Sequence, residues 1–447
     1  MRVLFTLIVT IISLNSVVVA EAKEVDQDKL DRYLNSLYKN DKAMLSVAVR
    51  KEGKLVYSHA VGQRKNDSKS LVNSDTQYRI GSISKTITAA LIMQAVEQKK
   101  LALDAKLSTF YPNVKNAEQI TVKQLLSHRS GLFNFTNDPL YMSYMESPKS
   151  KAEILEIIDT YPVNFAPGEK FEYSNTNYVL LGYILEDIYK KTLHEIVQAN
   201  ISKRLELPRT AVGSKIDISK NQADSFYYAD GWKPATHTDM SIPHGAGAIV
   251  STAPELTQLL HHLLSGDIVS EASLQQMMKV EQGYGLGLMK YPFGERSAFG
   301  HNGGIDGFVS NAAFFPEEDI TIAVLSNGVN TNFNGILIGV LSIVFDKPFE
   351  LPNFAEKSIE LSLEQMTELE GSYSSADLPL KLKVFIQDQQ LFAQATGQGP
   401  FPLTAISPTT FKFERAGIRI EFVSSSDSAK EFVLHQAGKA YRYSLDR

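Results

Sequence analysis

The chain has 447 residues, of which 43% are hydrophobic and 21% charged, a composition typical of soluble globular proteins. Its formal net charge of −5, without any run of basic residues, argues against nucleic acid as a partner. The absence of cysteine excludes disulfides, a lipid-modified cysteine and thiol catalysis.

The N-terminal stretch predicts export. A basic residue precedes the apolar run Val3–Leu14, and the small residues Ala20 and Ala22 follow it. This order is typical of a secretory signal peptide, which we place at residues 1–22, so the mature protein is expected to be periplasmic or secreted. A membrane anchor is the alternative, but polar residues from Ser13 onward leave the run short for a span. No stable membrane span is therefore expected after cleavage.

Hydrophobic periodicity predicts a helical middle with strands on both sides. Strands are expected at 44–50, 54–61, 285–291, 311–315 and 320–326. Helices are expected at 26–40, 82–100, 120–126, 152–161, 176–190, 254–264, 271–278 and 333–345. Because the strands enclose the helices, we predict an α+β fold with a mixed sheet built from distant parts of the chain.

The chain is expected to contain a second, smaller domain. A stretch with two prolines, residues 347–360, is the predicted linker. Apolar and polar residues then alternate, for example at Ile418–Phe422, which is the period of half-buried strands. We therefore predict a first domain at 23–346 and a small antiparallel β domain at 361–447.

A strand, a glycine turn and a helix are predicted in succession at Tyr78–Met93. Ser82 and Lys85 lie three positions apart at the start of this helix, so both side chains project from one face. A helix N-terminus favours developing negative charge, and a serine beside an amine there is a workable nucleophile. The second Ser-x-x-Lys match, Ser36 to Lys39, lies in a predicted amphipathic surface helix. Roughly one or two such matches are expected by chance in a chain of this length.

Two later clusters are further candidates. Tyr173 and Asn175, in a Tyr-Ser-Asn triplet, precede a strongly predicted helix. His301, Gly303 and Gly304 sit between two predicted strands, where glycine permits close approach of the backbone to a ligand. Each cluster has an ordinary alternative, since Tyr-x-Asn recurs in the chain and a single histidine fits a turn.

A third cluster, Leu125–Leu132, ends a predicted helix with a glycine cap. Its His128 is interpreted as structural, holding the loop that follows the helix. No histidine spacing typical of a metal site, such as His-Glu-x-x-His, occurs in the sequence.

Ser-x-x-Lys early, Tyr-Ser-Asn in the middle and His-x-Gly late form an order that resembles the serine penicillin-recognising enzymes. Within them, the chain is similar to class C β-lactamases, soluble D-alanyl-D-alanine carboxypeptidases, D-aminopeptidases and related esterases. The stretches Gly245–Thr252, Tyr284–Leu288 and Gly303–Phe308 also resemble this family, and the resemblance covers residues 27–345. It implies a β-lactamase/transpeptidase-like domain, with a mixed antiparallel sheet and a helical cluster. The trailing β domain resembles the lipocalin-like appendages of some members.

The resemblance implies that Ser82 is the acylated nucleophile and that Lys85 and Tyr173 handle protons. Both proton-handling groups have reference pKa values of about 10, so their surroundings must shift these values for either to act as a base at neutral pH. Burial is expected to lower the pKa of Lys85, and a protonated Lys85 is expected to lower the pKa of the Tyr173 phenol. Because the two groups are coupled, the identity of the base stays open.

The resemblance also implies substrate-binding residues. Asn175 would hold the substrate amide, and the backbone N–H groups of Ser82 and Gly304 would form the oxyanion hole, next to Gly303. His301 would stand where class C β-lactamases have a lysine, a variant that favours a peptidase or an amidase. Neither a metal nor an organic cofactor is implied.

We therefore expect an exported serine hydrolase that works through an acyl-enzyme, of the D,D-carboxypeptidase or D-aminopeptidase type. Its substrate is expected to be a small molecule or a short peptide, with a peptidoglycan-like D-peptide as one possibility. An esterase or a weak class C-like β-lactamase is the alternative among enzymes. A penicillin-acylated sensor or scaffold without turnover is the alternative from another class. The oligomeric state stays open.

Overall fold

The structure is a computed structural model that describes residues 24–66, 69–354, 356, 358–413, 417–423, 430–436 and 439–446. The signal peptide expected at residues 1–22 lies outside the described residues, so export stays a prediction. Within the described part of the chain, no helix is both long enough and apolar enough to cross a lipid bilayer.

Helices fill the middle of the first domain and flank its sheet, and a short helix precedes the strands of the C-terminal β domain. In chain order they are α1 (Gln27–Lys39), α2 (Ser84–Glu97), α3 (Val122–Leu126), α4 (Tyr141–Tyr144), α5 (Lys151–Thr160), α6 (Asn175–Tyr189), α7 (Leu193–Val197), α8 (His244–Gly247), α9 (Ala253–Leu264), α10 (Glu271–Met278), α11 (Phe333–Val344) and α12 (Leu363–Thr367). Side-chain caps define several starts, because a serine or threonine oxygen accepts a free N–H of the first turn. Ser150 caps α5 in this way, and Thr252 caps α9.

The strands of the described residues form three sheets. In chain order they are β1 (Ala43–Lys51), β2 (Lys54–Val61), β3 (Tyr78–Arg79), β4 (Ala211–Val212), β5 (Phe226–Tyr228), β6 (Trp232–Pro234), β7 (Ile249–Ser251), β8 (Met289–Phe293), β9 (Arg296–Ile305), β10 (Phe308–Phe315), β11 (Ile320–Val329), β12 (Gly371–Ser374), β13 (Leu382–Gln387), β14 (Gln390–Ala395), β15 (Phe401–Pro402), β16 (Thr404–Ala405), β17 (Thr410–Phe413), β18 (Ile418–Val423), β19 (Glu431–Gln436) and β20 (Lys439–Leu445).

The main sheet joins the two ends of the first domain. Six of its strands follow the order β2-β1-β11-β10-β9-β8, and all neighbours in this path are antiparallel. β5 pairs with β11 in parallel, which makes the sheet mixed. Val47 of β1 lies opposite Val324 of β11, so the predicted pairing of distant strands is confirmed.

Both faces of the main sheet are covered. Val47 and Val49 of β1 belong to an apolar cluster with Leu34 of α1 and Val340 of α11. Ala48, which points to the other face, belongs to the larger cluster formed with the helical middle of the chain. A strand covered on both faces explains why β1 is buried at consecutive positions rather than at alternate ones.

One expected strand is wrong in its extent. A strand was expected at 285–291, but β8 begins at Met289, and the residues before it turn against the end of α10. Leu286 donates its N–H to the carbonyl oxygen of Met277 at 3.0 Å. A Cβ at Gly285 would lie only 2.1 Å from that oxygen, so the contact depends on glycine.

A short sheet of order β3-β7-β4 leads into the candidate site. Tyr78 of β3 lies opposite Ser251 of β7, and Arg79 lies opposite Val250. The pairing fixes the direction in which the chain enters the turn at Gly81.

The C-terminal strands form a nine-stranded antiparallel sheet of order β15-β14-β13-β12-β20-β19-β18-β17-β16. Its two edge strands, β15 and β16, are separated in the chain by Leu403 alone, so the sheet is nearly closed into a barrel. Large side chains fill the interior, among them Tyr373, Phe411, Phe432 and Tyr443. The predicted small antiparallel β domain is confirmed.

The chain passes from one core to the other inside the expected linker, 347–360. The described residues of this segment contain neither helix nor strand. Phe349 and Phe354 pack on the apolar cluster beside α11, whereas Ile359 donates its N–H to Ala405 in the β domain at 2.9 Å. The domain limits at residues 346 and 361 stay a prediction.

Candidate active site

Ser82 lies in a tight turn between β3 and α2. Gly81 has a φ of +51°, a left-handed conformation that glycine adopts without steric cost. Residues 81–83 form one 3₁₀ turn, which leads directly into α2. Ser82 is partly exposed, whereas Lys85, on the first turn of α2, is completely buried. The predicted glycine turn and helix are present, but α2 begins at Ser84, two residues after Ser82, so Ser82 lies in the 3₁₀ turn and not in the helix itself.

The amine of Lys85 contacts three oxygen atoms. Its Nζ lies 2.9 Å from Ser82 Oγ, 2.8 Å from Asn175 Oδ1 and 2.8 Å from the carbonyl oxygen of Ala246. The second and third of these oxygens can only accept hydrogen bonds, so they occupy two N–H groups of the amine. The second Ser-x-x-Lys match differs, because its Lys39 is exposed on α1.

Burial disfavours the charged form of Lys85. Complete burial lowers its pKa well below the ordinary value of 10.5, because desolvation disfavours the ammonium form. A neutral amine has two N–H groups and one lone pair. In that form Asn175 and Ala246 would take both N–H groups and the lone pair would face the Ser82 hydroxyl, whereas the ammonium form donates its third N–H to Ser82 Oγ.

The side-chain amide of Asn175 is fixed at both ends. Its Nδ2 donates to Thr136 Oγ1 at 3.0 Å, and the Thr136 hydroxyl donates to Asn134 Oδ1 at 3.0 Å. Asn134 Oδ1 also accepts the backbone N–H of Asn175 at 2.9 Å. This chain of bonds turns the Asn175 oxygen toward Lys85. Sequence analysis did not identify Asn134 and Thr136 as site residues. The feature that could have indicated them is that two polar residues interrupt an aromatic stretch.

Tyr173 stands beside Lys85, with Nζ 4.9 Å from the centre of the phenol ring. Burial raises the pKa of Tyr173, and a hydrogen bond with the Ser82 side chain acts in the opposite direction with less effect. The expectation that Lys85 lowers this pKa is therefore wrong. The physical reason is that desolvation of the phenolate is the largest effect on this buried ring. The phenol stays protonated.

His301 lies inside β9, not between two strands as expected. One ring nitrogen, Nδ1, donates to the carbonyl oxygen of Asn302 at 2.5 Å, so Nε2 accepts the hydroxyl of Tyr284 at 3.1 Å. Burial, and then the nearby Lys85, lower the pKa of His301 to about 3, so its imidazole is neutral. Its ring centre lies 6.3 Å from that of Tyr173.

Two glycines bring β9 against the turn that carries Ser82. A Cβ at Gly303 would lie 2.0 Å from the carbonyl oxygen of Ile80, and one at Gly81 would lie 2.8 Å from the nitrogen of Gly304. The close approach expected of these glycines is thus made to the Ser82 turn itself.

A buried ion pair connects the same two segments. Arg79 Nη1 lies 2.8 Å from Asp306 Oδ2, and the arginine donates to the carbonyl oxygens of Thr238 and Ser214 as well. Asp306 Oδ1 accepts both the N–H and the hydroxyl of Thr238, at 3.0 and 2.7 Å. Sequence reasoning did not assign Arg79 or Asp306 to the site.

The predicted residues therefore fall into two groups. Ser82, Lys85, Tyr173 and Asn175 form one connected set of contacts, whereas His301 reaches this set through ring packing on Tyr173. A hydroxyl held against an amine whose pKa is lowered by burial, next to a protonated phenol, is suited to nucleophilic attack on an acyl carbon. Among the described residues, no group of three or more histidine, aspartate or glutamate side chains is arranged to hold a metal ion.

Comparison with protein families matches residues 30–339 to the family described as Beta-lactamase. This match covers more than half of the chain and all the motif residues named above. It confirms the resemblance predicted from the three motifs and their order.

Relatives and solved structures agree with this match. Penicillin-binding protein 4* of Bacillus subtilis (strain 168) is 24% identical over 432 residues, which cover 88% of this chain and 93% of that protein. Teichoic acid D-alanine hydrolase of Staphylococcus aureus (strain NCTC 8325 / PS 47) is 24% identical over 282 residues, 63% of this chain and 67% of that protein. The structure of D-amino acid amidase from Ochrobactrum anthropi SV3, complexed with L-phenylalanine amide, has a TM-score of 0.59 at 25% identity, covering 67% of this chain and 91% of that chain.

Proposed function

Because the chain belongs to the beta-lactamase family, a family of serine hydrolases, we propose that it is a D-amino-acid-specific peptidase or amidase. The proposed reaction passes through a covalent acyl-enzyme on Ser82. The observation that carries the proposal is the 2.9 Å contact between Ser82 Oγ and the amine of Lys85.

Attack begins with proton transfer from Ser82 to Lys85. As the Ser82 oxygen forms its bond to the carbonyl carbon, its proton moves to the lone pair of Lys85, and the carbonyl oxygen becomes an oxyanion. A lysine with an ordinary pKa would hold a proton at neutral pH and could not accept another, so the burial of Lys85 supports its role as the base.

Tyr173 is proposed to return the proton to the leaving group. The phenol is protonated and hydrogen-bonded to the Ser82 side chain, so it lies beside the reacting carbon once Ser82 has attacked. It would donate its proton to the leaving nitrogen as the C–N bond breaks, and Lys85 would then reprotonate it. The same pair, acting in reverse, would activate the water that hydrolyses the acyl-enzyme.

The oxyanion is proposed to bind the backbone N–H groups of Ser82 and Gly304. The short distance between the backbones at Gly81 and Gly304 supports this assignment. One such donor contributes on the order of 3–4 kcal/mol to the stability of the transition state in comparable sites. Asn175 is proposed to orient Lys85 in addition to facing the substrate amide.

Two observations support substrates derived from D-amino acids. One relative is named a D-amino acid amidase and another a Teichoic acid D-alanine hydrolase. In addition, the imidazole of His301 is neutral, and the resemblance to class C β-lactamases implies that it stands where those enzymes carry a lysine, so the third motif would lack their cation. Export to the periplasm or the medium, proposed from residues 1–22, would bring the enzyme to peptidoglycan-like D-peptides.

The test is a panel of matched D- and L-amino acid amides, peptides ending in D-alanyl-D-alanine, simple esters and a cephalosporin. We expect some D-amide or D-peptide to react faster than its L-isomer by about 100-fold, a discrimination that a pocket reaches when one small group of the substrate is misplaced. Ser82→Ala should abolish turnover, and Ser36→Ala should leave it unchanged. Equal rates for D- and L-isomers, or turnover of the cephalosporin alone, would overturn the proposal.

A further inference from the structure

His128 has a left-handed backbone conformation and a buried side chain, unlike a histidine in an exposed loop. It follows α3 with a φ of +56°, in the left-handed region, and its side chain is completely buried. Non-glycine residues at positive φ are uncommon and are retained where surrounding contacts hold them.

Hydrogen bonds define the orientation of the His128 ring. Nδ1 lies 3.2 Å from the backbone nitrogen of Ser174 and 3.2 Å from Nδ2 of Asn177. The hydroxyl of Ser130 donates to Asn177 Oδ1 at 2.6 Å, so the NH₂ group of Asn177 is the end that faces the ring. Both neighbours are therefore donors, Nδ1 is the acceptor, and the ring proton is on Nε2.

The same ring is packed among the phenols of the site. Its centre lies 4.3 Å from that of Tyr173, 4.7 Å from that of Tyr284 and 5.1 Å from that of Tyr178. Tyr284 in turn donates its hydroxyl to His301. His128 is thus in contact with both the Tyr-Ser-Asn motif and the partner of the His-x-Gly motif.

Ser174 is the residue between Tyr173 and Asn175. A hydrogen bond to its N–H therefore fixes the backbone from which both site side chains project. Loss of that bond would let Tyr173 move away from Ser82, whereas Asn175 keeps its own bonds to Asn134 and Thr136.

We propose that His128 is a positioning residue for acylation of Ser82, acting through the hydrogen bond from Ser174 N–H to Nδ1. This inference rests on the proposed function of the site. It assigns His128 no contact with substrate and no proton transfer of its own.

Two substitutions separate the contribution of the His128 hydrogen bond from the contribution of its aromatic ring. His128→Asn keeps an oxygen acceptor at the place of Nδ1 and tolerates a positive φ, but it removes the ring. His128→Phe keeps an aromatic ring and removes the acceptor. Both full-length variants are compared with the wild type for thermal unfolding, for the rate at which a fluorophosphonate probe labels Ser82, and for kcat and KM on the best D-amide of the panel.

We expect His128→Phe to be less stable than the wild type, because the buried N–H donors of Ser174 and Asn177 lose their acceptor, and to keep its KM. We expect it to lose about 100-fold in labelling rate and kcat, the effect of a displacement of about 1 Å. His128→Asn should retain most of the labelling rate. If Phe is not tolerated by the fold, Leu replaces it in the same comparison with Asn.

Three results would overturn the inference: unchanged labelling in the variant without an acceptor, equal losses in both variants, or losses that only follow the fall in thermal stability. Failure of the wild type to become labelled at Ser82 is a separate outcome. It would contradict the proposed function itself, whatever the His128 variants do.

Discussion

Arg79 and Asp306 form a buried ion pair, with 2.8 Å between Nη1 and Oδ2. Arg79 ends β3, three residues before Ser82, and Asp306 follows β9, two residues after Gly304. The pair therefore joins the two backbone segments proposed to bind the oxyanion, although the two residues are 227 positions apart in the chain.

Removal of Asp306 should destabilise the protein and slow acylation. Asp306→Ala leaves the Arg79 cation buried without its partner, which typically costs about 3–5 kcal/mol of unfolding free energy. Denaturant unfolding and the labelling rate of Ser82 measure both effects. The control is Lys220→Ala, which breaks an exposed pair with Asp217 and should cost less than about 1 kcal/mol. Equal effects of the two substitutions would contradict a structural role for the buried pair.

Thr136 should contribute to catalysis through Asn175. Thr136→Val preserves the shape of the side chain but leaves Asn175 Nδ2 without its acceptor, which should cost about 1–3 kcal/mol of unfolding free energy. The freed amide can then rotate away from Lys85, so we expect a lower labelling rate of Ser82. Thr160→Val, on the exposed surface of α5, is the matched control and should change neither quantity. A normal labelling rate in Thr136→Val would show that the Asn175 amide needs no such support.

Gly303 should not tolerate any side chain. In Gly303→Ala the new Cβ would lie 2.0 Å from the carbonyl oxygen of Ile80, so β9 must move away from the Ser82 turn. Overpacking of this kind costs about 1–3 kcal/mol, and labelling of Ser82 should fall with it. Gly399→Ala is the control, because no atom lies within 4 Å of its added Cβ. Thermal unfolding and labelling of both variants give the comparison, and a wild-type result for Gly303→Ala would refute the close approach.

The neutral state of His301 predicts a pH dependence of stability. Its pKa is about 3 in the folded protein against an ordinary value of 6.5, so the unfolded chain binds a proton first as the pH falls. Stability is therefore lost below pH 6.5, at about 1.4 kcal/mol per pH unit until the folded-state pKa is reached. Denaturant unfolding of the wild type and of His301→Asn at several pH values isolates this contribution as their difference. If the difference in unfolding free energy between the two proteins stays constant between pH 7 and 5, folding does not shield the His301 imidazole from protonation.

Strong local signals made much of the fold predictable. The helix at Glu271–Met278 was predicted to the residue, because Ser270 caps it and its apolar residues follow the helical period. The strand β9, which contains His301, was not predicted, because its three glycines locally disfavour a strand. Its pairing with β10, residue by residue from Phe299 to Ile305, outweighs that preference.

The motif residues could be predicted from the sequence, but their supporting partners could not. Asn134 contacts Asn175, 41 positions away in the chain, and Asp306 contacts Arg79, 227 positions away. Contacts between residues so far apart produce no periodic pattern in the sequence. The direction of the Tyr173 pKa shift could not be predicted from the sequence either, because it depends on how completely the folded protein removes the ring from water.

The most direct test of the central claim is to identify the residue that becomes acylated. The full-length protein is mixed with benzylpenicillin and with a fluorophosphonate, and the modified peptide is located by mass spectrometry. We expect one adduct per chain on the peptide that contains Ser82, its loss in Ser82→Ala, and its persistence in Ser36→Ala. An adduct on any other residue, or one that forms equally well in Ser82→Ala, would contradict the account.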